Sequence, residues 1–144
     1  MYRSLSLLIV GAACVCLSPA VNAAESAELE KLQGKWECKK TDENGQKVIL
    51  VLEINKEKLT FRILNDDRTP QFIAKAEVKF DTFGPFKAFT SKNVKAGTTE
   101  DSLESVDEEY SHVYQVDGDT WYVTMNFDKQ RERPPAMDVY RKTK

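Results

Sequence analysis

Gln71-Phe72-Ile73-Ala74-Lys75-Ala76-Glu77-Val78-Lys79-Phe80 alternates without a break. Phe72, Ala74, Ala76, Val78 and Phe80 fall on one side; Ile73, Lys75, Glu77 and Lys79 fall on the other. A period of two is the signature of a β-strand, whose successive side chains point to opposite faces. One face is apolar and the other mostly charged, so the strand covers a core and meets water behind it.

The same period extends in both directions. Upstream, residues 58–64 place Leu59, Phe61 and Ile63 inward, and residues 47–54 do so with Val48, Leu50, Leu52 and Ile54. Residues 35–41 form a first strand, joined to the next through Asn44-Gly45, a strong hairpin signal. Downstream, Gly84-Pro85 breaks the chain before a short strand at 86–90, and the polar stretch 91–107 reads as a long loop. Residues 109–116 line up Tyr110, His112, Tyr114 and Val116. The Asp117-Gly118 turn leads to residues 120–127, with Trp121, Val123, Met125 and Phe127 on one face. A basic loop, 129–135, precedes a last strand at 136–142, where Met137, Val139 and Arg141 share a side taken as the interior. About eight short strands with tight connections predict an all-β, antiparallel, up-and-down barrel. Ser26 is placed to cap a short helical turn carrying Leu29 and Leu32, which Gly34 stops.

The first 23 residues read as a signal peptide: Arg3, an apolar run over 5–17, then Val21-Asn22-Ala23 as a small-x-small cleavage site. The run is shorter than the roughly 20 residues of a membrane span. Cleavage near Ala23 leaves one domain, 24–144, exported to the periplasm or beyond. Loss of Arg3 takes the formal net charge from −2 to −3, and no basic stripe is present to track a nucleic acid. Cys14 and Cys16 depart with the signal. Cys38 then has no partner for an internal disulfide and reads as an inert buried thiol.

Glu28-Leu29-Glu30-Lys31-Leu32-Gln33-Gly34-Lys35-Trp36 resembles the opening of a lipocalin-like family common in secreted proteins of planctomycete bacteria. The resemblance continues through Asp117-Gly118-Asp119-Thr120, Arg133-Pro134 and the basic end of the last strand, and covers roughly residues 28–143. It implies a lipocalin-like barrel without an established activity. In such barrels Gly34 and Trp36 open the first strand and an inward arginine on the last caps the indole. Arg141 is the residue assigned to that closure here, by a cation–π contact.

Ligand chemistry can only sit inside the barrel. Phe61, Tyr110, His112, Tyr114, Trp121 and Met125 are the candidate ligand-binding residues. An eight-stranded barrel is either filled by side chains or holds one small ligand. The aromatic bulk favours filling, Ala74 and Ala76 favour a cavity, and both readings stand. His112, the sole histidine, reads as a hydrogen-bonded barrel residue rather than a metal or haem ligand. The acids Glu100, Asp101, Glu104, Asp107, Glu108 and Glu109 lack calcium-loop spacing. Arg131, Glu132, Arg133, Pro134 and Pro135 form a charged loop. Ser111 and His112 are strand neighbours that point apart, so they cannot pair as nucleophile and base.

The expected protein is a monomeric, non-enzymatic binding module that holds a small apolar or amphipathic molecule, with no cofactor, metal, nucleic acid or membrane span. The alternatives are a protein-binding barrel of the periplasmic protease-inhibitor kind, or a structural envelope domain with a packed core.

Overall fold

The chain passes from helix to sheet at Gly34, whose φ of +101° is a conformation that glycine adopts without strain. The computed structural model describes residues 20–126 and 134–144. A helix, α1 (Ala20–Leu32), is followed by β1 (Gly34–Thr41), β2 (Lys47–Asn55), β3 (Lys58–Asn65), β4 (Pro70–Phe83) and β5 (Phe86–Gly97). A 3-10 turn (Glu100–Ser102) leads to β6 (Glu104–Ser105), β7 (Tyr110–Asp117), β8 (Thr120–Met125) and β9 (Ala136–Lys142).

Apart from the short β6, each strand pairs antiparallel with the next in the chain, β5 passing to β7, and β9 returns to β1 through Trp36↔Lys142 and Glu37↔Arg141. Eight strands thus close into an up-and-down, lipocalin-like barrel. The two-residue β6 sits beside β5 at Lys95 and Ala96. Closure gives each of the eight barrel strands a neighbour on both sides, which removes the long open edges of a flat sheet.

The barrel has two unlike ends. The β2–β3, β4–β5 and β7–β8 turns gather at one end, where α1 lies. Leu32 is fully buried there, and Leu29 packs against the same core. The Gln33 side chain fixes the helix end to the β2–β3 turn: its amide donates to the Leu29 and Lys56 carbonyls, and its oxygen accepts from Lys56 N–H. Glu28 takes salt bridges from Lys31 and Lys87 and a hydrogen bond from the Tyr114 hydroxyl. Inside this end, Trp36, Phe80, Phe89, Tyr114 and Trp121 pack ring against ring.

Several sequence expectations change. The helix is longer than a capped turn: it begins at Ala20, and Ser26 lies within it. β5 runs to Gly97 through a stretch taken as loop. A bulge at Asn93 (φ +51°) hides it, because Phe89 and Ser91 face inward before the bulge while Val94 and Ala96 do so after it. On β9 the parity is opposite to the expected one. Asp138 and Tyr140 are buried, whereas Met137, Val139 and Arg141 are exposed. Arg141 therefore does not cap Trp36; on the outer face it donates to the Thr120 hydroxyl. The cation over the indole is Lys142, with Nζ 5.1 Å from the ring centroid. Residues 1–19 of the expected signal peptide, Phe127, and Arg131, Glu132 and Arg133 of the expected basic loop lie outside the described residues.

Candidate functional site: a cavity beneath the open end

Away from α1, the interior is not filled. It holds a cavity of about 240 Å³. Small side chains create this room: Ala74 pairs with Ala96 across β4 and β5, with Ala76 and Ser91 beside them on the same two strands. Phe61, Phe72, Val94, Val106 and Met125 form the upper walls; Leu52, Leu59, Phe89, Val123 and Tyr140 lie toward the packed end. The cavity is partly open to solvent.

Of the six candidate ligand residues, Phe61, Tyr110, His112 and Met125 line the cavity. Tyr114 and Trp121 do not; they belong to the packed layer beneath it, where Trp121 meets Trp36 edge to face at 5.5 Å between centroids. Gly34 and Trp36 open β1 at the end where α1 lies. The Trp36 Nε1–H donates to the Leu32 carbonyl at 3.0 Å. The Trp121 Nε1 is buried with no hydrogen-bond partner among the described residues.

His112 stacks beside Phe89 with centroids 5.0 Å apart, and its Nδ1 lies 2.8 Å from the Thr124 carbonyl. A carbonyl only accepts, so Nδ1 carries the proton and donates. Thr124 also joins the strands through its hydroxyl, which accepts from Val113 N–H and donates to the Val113 carbonyl. Side chains thus take over the β7–β8 ladder above Tyr114↔Val123. The Tyr110 hydroxyl donates to Glu108 at 2.8 Å.

Sequence reasoning missed Ser91, Val94, Ala96, Val106 and Tyr140. The bulge breaks the alternation that would have revealed Val94 and Ala96. Tyr140 lost to Met137 and Val139 because the more apolar side was taken as the interior. The inward charge of Asp138 is answered by Lys40, whose Nζ lies 2.9 Å from the carboxylate. Cys38 is buried next to this pair; burial, followed by the charge of Asp138, raises its thiol pKa and keeps it protonated.

The acidic stretch makes structural contacts instead of an ion site. Glu100 pairs with Lys75 and Arg62, and Glu109 with Lys92. Among the described residues, no group of three or more His, Cys, Asp or Glu side chains is placed to hold a metal ion, and no helix is long and apolar enough to cross a membrane. Ser111 bonds outward to Thr90 at 2.9 Å while His112 faces in.

Compared with models of protein families, with curated proteins and with solved structures, the chain matches none.

Proposed function

We propose that the protein is an exported, lipocalin-like binding module that holds a small apolar or amphipathic molecule in the open half of its barrel. One observation carries the reading: an apolar cavity of about 240 Å³, partly open to solvent, in a barrel whose other end is packed shut. Apolar ligand surface moved from water into such a pocket stabilises the complex by about 25 cal/mol per Å². Export draws its support from the residue pattern of positions 3–23, and kinship with secreted lipocalin-like proteins from the motifs around Trp36 and Thr120. A non-catalytic role is supported by the separation of Ser111 from His112 across the barrel wall.

Isothermal titration against short alcohols, phenols and medium-chain fatty acids tests this. Saturation at one molecule per chain, abolished by Ala96→Leu, is the expected result, because the added side chain fills the room beside Ala74. Heats that never saturate with any of the three classes would sink the proposal.

A second reading, a protein-binding barrel, draws on Met137 and Val139, which expose apolar side chains on the outer face of β9. It requires that Met137→Glu abolish association with a partner protein and leave small-ligand binding intact.

A further inference from the structure

The cavity wall contains two residues, each largely buried, whose hydroxyls make no hydrogen bond to the described protein and remain available to the cavity. Ser91 is 7% exposed and Tyr140 is 1% exposed; both line the cavity, and neither hydroxyl has a hydrogen-bond partner among the described residues. They come from separate walls, Ser91 from β5 and Tyr140 from β9. A hydroxyl in a cavity wall with no protein partner is free to donate to or accept from the polar atom of an occupant. Burial, and then the neighbouring charge of Asp138, raise the pKa of Tyr140, so it stays a neutral phenol able to donate and accept.

A second observation concerns charge. No Lys, Arg, Asp or Glu is among the described residues lining the cavity. Asp138, two residues before Tyr140, is already paired with Lys40. A carboxylate or ammonium brought inside would be desolvated with no Lys, Arg, Asp or Glu of the described wall to answer it, and His112 is the one basic side chain there.

Size is the third constraint. A dry cavity of about 150 Å³ holds one benzene. By the same proportion, 240 Å³ accommodates about ten non-hydrogen atoms. Porphyrins, retinoids and long acyl chains would leave most of their surface outside.

Resting on the binding-module reading above, we infer that the occupant is a small neutral molecule, an alcohol, phenol or ketone in chemical class, whose polar atom meets the Ser91 or Tyr140 hydroxyl. The hydroxyls set the ligand's orientation, and the apolar walls supply most of the affinity.

Calorimetric titration of the purified protein with 1-octanol and with octanoate, at a pH where the acid is ionised, tests the claim. The two probes have the same chain length and differ in charge. The alcohol is expected to bind at least about a hundredfold more tightly than the carboxylate. Along a series of straight-chain alcohols, affinity should rise with each methylene until about ten non-hydrogen atoms are reached, and then level off. The double variant Ser91→Ala/Tyr140→Phe should weaken octanol binding about tenfold. Its affinity for n-octane, which has nothing to hydrogen-bond, should be unchanged. Octanoate binding as tightly as octanol would overturn the neutral-ligand inference and leave the binding module standing. Equal loss of octanol and octane in the double variant would overturn the role of the hydroxyls. If alcohol, acid and alkane all fail to bind, both the inference and the reading beneath it fall.

Discussion

The ammonium of Lys142 sits 5.1 Å from the centre of the Trp36 indole, and its Nζ also donates to the Lys31 carbonyl at 3.3 Å. A single side chain of the last strand therefore touches the first strand and the end of α1. Lys142→Met keeps the stem and removes the charge. It is expected to lower unfolding free energy by about 0.5–1 kcal/mol, the scale of an exposed cation–π contact. Urea denaturation checks this, and a midpoint indistinguishable from wild type would show that the contact does not hold the barrel closed.

Trp36 and Trp121 provide a matched pair. Both are fully buried, but Trp36 donates from Nε1 to the Leu32 carbonyl while the Trp121 Nε1 has no partner among the described residues. Replacing either by Phe removes similar volume. Only Trp36→Phe also strands a carbonyl and breaks a hydrogen bond, so it should cost about 1–3 kcal/mol more than Trp121→Phe. Thermal unfolding of the two variants, measured side by side, decides it.

Gly97 is required for closeness, not for its φ. A Cβ built there would lie 2.4 Å from the Ser102 backbone oxygen, so the 3-10 turn could not stay where it is. Gly97→Ala is expected to destabilise the protein by about 1–3 kcal/mol through this overpacking. It should also raise amide exchange at residues 100–102. Unchanged exchange would argue that the turn does not depend on this contact.

Stability should also depend on acid through Glu28. Burial works to raise its pKa, but hydrogen bonds and charge from Lys87 and Lys31 outweigh it and hold the carboxyl below its ordinary value of 4.5. A carboxylate with a depressed folded pKa contributes stability that is fully present above the unfolded value and lost as pH falls through the folded one. Glu28→Gln should therefore be less stable than wild type at neutral pH, with the gap closing below pH 4.5. Glu37 and Glu100 also have lowered pKa values, so the difference between the two proteins is the informative quantity. A gap that stays constant across the acid range would remove Glu28 from the account.

Phe72 to Phe80 on β4 and Val48 to Ile54 on β2 share the faces that their alternation predicts, although Ile73, Ile49 and Val51 on the opposite faces are buried too, the last two in a small cluster with Leu64. The sequence was unreadable at two kinds of place. At Asn93 one extra residue reverses the sense of alternation, so Val94 and Ala96 look as though they face water when they line the cavity. On β9 two apolar side chains face outward and an acid faces inward, a reversal made tolerable by Lys40. Hydrophobic pattern alone cannot foresee an ion pair supplied by a strand ninety-eight residues away. The empty volume itself was only half legible. Ala74 and Ala76 pointed to space on β4, but the Ala96 that completes it sits beyond the bulge.

The placement of His112 has a practical corollary. Both tryptophans are packed below the cavity, so their emission responds mainly to unfolding. The imidazole stands in the cavity wall and has no other histidine to confuse it with. Its ring resonances in a proton spectrum thus give the molecule an internal gauge of occupancy, readable without any label and separate from the signal that reports folding.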